Sequence, residues 1–105
     1  MPRRLILLSV MLTGCGPVIP PVTPDLVTTA TARGVITDLP QLERGRSLYT
    51  TRCNTCHALH DPLEKTVAQW PALVEIMGAR AYLPEPHRRD LLAFLMATGA
   101  PLSPR

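Results

Sequence analysis

Cys53-Asn54-Thr55-Cys56-His57 places two thiols two residues apart, with an imidazole immediately after, at the middle of a 105-residue chain. Each thiol at that spacing can form a thioether to a haem vinyl group while the adjacent histidine reaches the iron, so Cys53, Cys56 and His57 read as an attachment site for one covalently bound haem c. Two rivals use some of the same residues. Disulfide exchange also employs paired cysteines with two residues between, but that motif opens a helix inside an alternating strand and helix pattern, and no strand pattern precedes Cys53. Zinc could recruit Cys53, Cys56 and His60, yet it needs a fourth ligand, and a second cysteine pair is missing from the sequence.

The amino terminus supplies the compartment such a site requires. Met1-Pro2-Arg3-Arg4 is cationic, and Leu5 to Leu12 is apolar apart from Ser9, far below the roughly 20 residues of a membrane-spanning helix. Residues 1–14 therefore read as a signal peptide. Its end, Leu12-Thr13-Gly14-Cys15, resembles the lipobox of bacterial lipoproteins. The resemblance implies that Cys15 receives a diacylglycerol and becomes the first residue of the mature protein. It also implies a lipid-anchored protein on the periplasmic side of a bacterial membrane. Gly16 lacks the aspartate that retains enteric lipoproteins at the inner membrane, which tilts the expectation to the outer one. Two thioethers and one lipid would use all three cysteines, whereas a disulfide would leave one over. The bland alternative is an ordinary apolar helix with a free Cys15 thiol.

Charge says little about partners. Arg3 and Arg4 leave with the signal peptide, so nine basic side chains face eight acidic ones, a net charge of +1. No basic face interleaved with aromatics appears, and nucleic acid is not expected as a partner.

Residues 15–40 are rich in proline and threonine, with Pro17, Pro20, Pro21 and Pro24 crowded at the start. No apolar periodicity survives there, which predicts an extended, flexible tether spanning about 25 to 30 Å as a coil. Packing of Val35-Ile36 on the domain is an open alternative. Residues 41–105 then form the compact domain. A unit this small needs a staple, and a covalent haem would supply both that staple and apolar surface for a core with few aromatics.

Three helices are readable, which makes the fold class all-α. The first covers about Leu42 to Arg52, with Leu42, Gly45 and Tyr49 on one face. The second covers about Gln69 to Met77, where Trp70, Leu73, Val74 and Met77 share a face and Gly78 suits the stop. The third runs from Pro84–Pro86 to Gly99, with Leu91, Phe94, Leu95 and Thr98 along one side. Gly45 is costly inside a helix, by about 1 kcal/mol against alanine, so a close backbone approach is expected there.

Gly45-Arg46-Ser47-Leu48-Tyr49, the Cys53 to His57 site, Trp70 to Met77 and Leu91-Leu92-Ala93-Phe94-Leu95 together resemble the small single-haem class I bacterial cytochromes c. The resemblance covers about Leu42 to Ala97, although the segment from Ala58 to Gln69 is short beside larger members. It implies a class I cytochrome c-like fold of about three helices wrapped around the haem. The first and last helices would cross at right angles, with Gly45 and Tyr49 against Phe94. It further implies Met77 as the second axial ligand to iron. Spacing alone reads Met77 equally well as a core residue of its helical face. Met96, His60 and His87 are the rivals for the ligand. Pro62 offers a carbonyl for the His57 ring proton. Trp70, Arg46, Arg52 and Arg80 are candidates for haem propionates.

The functional expectation is a membrane-tethered electron carrier, not an enzyme by itself, passing single electrons between periplasmic or membrane redox proteins through a haem ligated by His57 and Met77. The alternatives are a cytochrome subunit of a larger periplasmic oxidoreductase, or, without Met77 ligation, a five-coordinate haem sensor or peroxidase.

Overall fold

A computed structural model describes residues 17–54 and 58–102. Four α-helices, α1 (Pro24–Ala32), α2 (Leu39–Arg52), α3 (Trp70–Arg80) and α4 (Glu85–Thr98), are joined by loops, with a 3-10 turn at Pro62–Glu64. Among the described residues there is no strand, only an isolated bridge between Thr66 and Ala100. The fold is all-α. Cys15, Cys56, His57 and the expected signal peptide lie outside the described residues.

The α4 helix is the hub, touching each of the other three helices. Its apolar stripe is buried as the periodicity predicts, with Leu91, Phe94, Leu95 and Thr98 all inside. Proline opens this helix and Gly99 caps it. On α2, Asp38 caps the amino end by accepting from the Gln41 amide at 2.8 Å, so the helix starts three residues before Leu42. Leu42, Gly45 and Tyr49 turn inward from α2. At Gly45 the α4 backbone passes so close that an added Cβ would strike the Asp90 carbonyl and lie 2.7 Å from Phe94 Cβ. This close approach offsets the cost of a mid-helix glycine. Beside it, Arg44 Nε donates to Asp90 Oδ2 at 3.0 Å and Gln41 Nε2 to Asp90 Oδ1 at 3.3 Å.

The α3 helix departs from expectation at its end. Gly78 does not stop it; the helix continues to Arg80, and Gly78 is buried against the aliphatic part of Arg88, whose Cδ would lie 2.6 Å from an added Cβ. The stop is built one turn later. Leu83 N donates to Gly78 O at 2.9 Å and Tyr82 N to Ala79 O at 3.2 Å, with Tyr82 in the left-handed region at φ 55°. This is a Schellman ending with tyrosine where glycine usually stands, and the buried Leu83 supplies its apolar contact.

The segment expected to be a flexible tether is corrected over most of its length. Thr23 caps α1 by accepting from the Leu26 amide at 3.3 Å, Pro24 fills the first turn, and Ala30 is wholly buried among the core side chains. The buried face is too short and small-sided, Leu26, Val27 and Ala30, to register as apolar periodicity. Beyond α1, Arg33 Nη1 donates to the carbonyls of Met96, Ala97 and Gly99 at 2.7, 3.1 and 2.9 Å. A guanidinium thereby satisfies the end of α4, where orphan carbonyls and the helix dipole favour a cation. Val35 is half-buried while Ile36 is 99% exposed, so only the first of that pair packs. Before α1, Arg46 of α2 donates from Nε to Pro20 O at 2.8 Å and from Nη2 to Ile19 O at 3.2 Å.

Candidate haem cleft

Trp70, the first residue of α3, is held on several sides. Asp61 caps the 3-10 turn by accepting from the Leu63 amide at 2.9 Å, which buries Pro62 and aims its carbonyl inward. Trp70 Nε1 donates to that carbonyl at 3.1 Å. Gly99 lies against the indole edge, where an added Cβ would stand 2.7 Å from Trp70 Cδ1. The strand-like pairing of Val67 N with Ala100 O and of Ala100 N with Lys65 O, both at 2.9 Å, fastens this loop to the end of α4.

Tyr49 meets Trp70 edge to face, with ring centres 6.2 Å apart, and lies 6.3 Å from the Phe94 ring. Its hydroxyl donates to the His60 carbonyl. Burial, with contributions from Cys53, Glu64 and Asp61, pushes the Tyr49 phenol up to about 12. It stays a neutral donor at any physiological pH.

These residues wall a narrow cleft lined by Tyr49, Cys53, Leu59, His60, Trp70 and Met77. Cys53 enters as the cap of α2 and Met77 from the last turns of α3, so two sequence-predicted residues 24 positions apart share one space. Burial pushes the Cys53 thiol up, against a smaller opposite pull from Arg52. The thiol is therefore protonated at neutral pH and a poor nucleophile by itself. His60 Nδ1 lies 2.8 Å from Glu64 Oε2 at the mouth. The cleft measures about 10 Å³, close to the space of one water, so a macrocycle would have to displace lining residues other than Trp70, which its bond to Pro62 holds.

Several sequence expectations are redistributed. The single indole N–H of Trp70 is committed to the Pro62 carbonyl in this structure, and its ring forms one wall of the cleft. Arg46 is spent on the Ile19 and Pro20 carbonyls, and Arg52 Nη2 donates to Ala81 O at 3.2 Å. Arg80 is exposed on α3. Met96 borders a different groove with Val35, Ile36 and Leu92, and His87 lies on the exposed first turn of α4 beside Arg44 and Asp90. Of the rivals to Met77, only His60 reaches the cleft. Tyr49 and Leu59 line the cleft in addition to the sequence-predicted site residues. Tyr49 carried a signal in its position one helical turn before Cys53, whereas Leu59 lies in a loop without periodicity.

The donor set suits the group that the spacing implies. One half-buried thiol, one half-buried thioether and two aromatic walls would hold a thioether-linked haem, and a soft sulfur donor is what a low-spin haem iron accepts. Cys56 and His57, which complete the set, lie outside the described residues. No group of three His, Cys, Asp or Glu side chains is placed to hold a metal ion among the described residues. No described helix is long and apolar enough to cross a membrane. Comparison with protein-family models, with curated proteins and with solved structures finds no match to this chain.

Proposed function

We propose that the chain is a lipid-anchored cytochrome c of class I-like architecture, which carries single electrons between redox partners on the periplasmic side of a bacterial membrane. The observation that carries this reading is the convergence of Cys53 and Met77, from two different helices, on one cleft walled by Tyr49 and Trp70. In this reading Cys53 and Cys56 hold the haem covalently, and His57 and Met77 ligate its iron. The haem supplies a one-electron couple whose potential a methionine ligand raises. The chain supplies the rest: Trp70 and Tyr49 exclude water from one side, and the Trp70–Pro62 bond fixes that wall. Tyr49 keeps its phenol proton and a Cys53 thioether has none to lose, so neither adds charge beside the haem.

Absorption spectra of the purified mature protein, oxidised and reduced, test the reading. The expected result is a reversible thioether-haem spectrum with a ferric methionine-to-iron charge-transfer band that disappears in Met77→Leu. A protein without haem refutes the function, and a band that survives the substitution refutes the ligand.

A further inference from the structure

The lipid anchor and the haem domain are joined by far less free chain than the composition suggests. From Ile19 onward the chain is part of the domain. Ile19 and Val22 pack on the core, and the Ile19 and Pro20 carbonyls are held by Arg46. Then α1 buries Ala30, and Arg33 clasps the end of α4. Only Gly16, Pro17 and Val18 separate Cys15 from the first docked residue. Four Cα steps reach at most about 14 Å, and the fixed φ of Pro17 removes part of the freedom in that span.

We infer that the docked amino-terminal segment is a short leash that seats the haem domain directly on the bilayer, with the Arg46 side of α2 nearest the lipid. The occupant of this surface is the membrane itself. This inference rests on the proposed acylation of Cys15. Val18, 78% exposed, is then an apolar side chain held at the headgroup boundary. The electron partner is consequently a protein embedded in, or bound to, the same membrane surface. Arg46 and Cys53 are seven residues apart on α2, about 10 Å along the helix axis. The attachment end of the haem cleft thus stays within roughly 30 Å of the anchor, whereas a free chain of 25 residues could stretch to about 85 Å.

The test uses the full lipidated chain, extracted from membranes and reconstituted on a supported bilayer of phosphatidylethanolamine and phosphatidylglycerol, with the protein layer profiled by neutron reflectometry. The native chain should give protein density starting at the headgroups. A variant with about 12 Gly/Ser residues inserted between Gly16 and Pro17 should show a hydrated gap of up to about 20 Å. A gap of that size in the native chain overturns the inference. So does an unchanged profile on insertion, because the surface would then hold the domain without the leash. Mass spectrometry of the same preparation separates the two levels. An acylated Cys15 with a wide gap sinks the leash alone, and an unmodified Cys15 sinks the anchor and the leash with it.

Discussion

Trp70 Nε1 and the Pro62 carbonyl oxygen lie 3.1 Å apart in a buried hydrogen bond between the start of α3 and the 3-10 turn before it. Both partners are almost fully covered, Pro62 as one of the largest buried side chains and Trp70 at 2% exposure. Removing the donor leaves a carbonyl without water to replace it, which costs about 1–3 kcal/mol. Trp70→Phe should therefore lower stability by at least that amount, because lost ring volume adds to it. Denaturant unfolding monitored by circular dichroism reads the change. A shift under a few tenths of a kcal/mol would show that the bond does not hold this wall.

Gly45 and Gly78 are both buried in helices and should respond differently to alanine. At Gly45 an added Cβ meets the Asp90 backbone and Phe94 Cβ, so α2 and α4 must separate along their main contact. Overpacking of this kind costs about 1–3 kcal/mol or more. At Gly78 the obstacle is the flexible Arg88 side chain, which is held at its far end by Glu75 at 3.0 Å. The Arg88 stem must shift together with its Glu75 contact, a cost that the about 1 kcal/mol of helix propensity gained by alanine partly offsets. Gly45→Ala, which displaces backbone, should therefore destabilise more than Gly78→Ala, compared by unfolding midpoints. Equal losses at the two sites would contradict this reading.

Arg33 joins the segment before α2 to the end of α4 through three carbonyls. Hydrogen bonds from a charged donor contribute about 1.5–3 kcal/mol each when buried, less here because the site is only part-buried. Arg33→Ala should cost about 1–2 kcal/mol as water takes over the exposed carbonyls. Arg33→Lys should recover only part of it: all three bonds leave from Nη1, and the shorter lysine side chain carries its ammonium less far toward the carbonyls. Hydrogen exchange should show faster opening of α1 in both variants. Unchanged protection of residues 24–32 would mean that α1 docks without the clasp.

Stability should fall in alkali through Tyr49. Its folded pKa, about 12, lies above the ordinary tyrosine value of about 10. The unfolded chain therefore loses the phenol proton first as pH rises, and each step beyond pH 10 favours unfolding until the folded pKa is passed. Stability linked to Tyr49 is fully present below pH 10 and is lost between about pH 10 and 12. Tyr49→Phe should flatten the unfolding free energy over that window, while also lacking the bond to the His60 carbonyl at neutral pH. Parallel curves for the two proteins across the window would remove Tyr49 as the cause.

Much of the helical frame was legible because its signals are local. The i, i+3, i+4, i+7 stripe of Leu91, Phe94, Leu95 and Thr98 turns inward as written, and Gly99 ends α4 where a glycine should. The cost of Gly45 also pointed correctly to a close approach, since a mid-helix glycine needs a reason beyond its own turn. Gly78 carries the same letter and misled, because a glycine marks either a stop or a contact and only the neighbouring helix decides which. Here Arg88 made it a contact, and Tyr82 took the left-handed position in its place.

What the chain alone settles is the spacing of Cys53, Cys56 and His57, and the helical periods that bring Tyr49, Trp70 and Met77 to inward faces. Bond lengths and the 3.6-residue turn dictate both without reference to distant residues. The tertiary structure decided the role of residues 19–35, because a hydrogen bond from Arg46 to Pro20 or from Arg33 to Gly99 spans 26 or 66 positions and leaves no periodic trace. It also decided that the Trp70 indole turns to Pro62 and that Met77, not Met96, shares a cleft with Cys53. Donor direction and cleft membership depend on which faces pack together, and that is fixed only when the whole core closes.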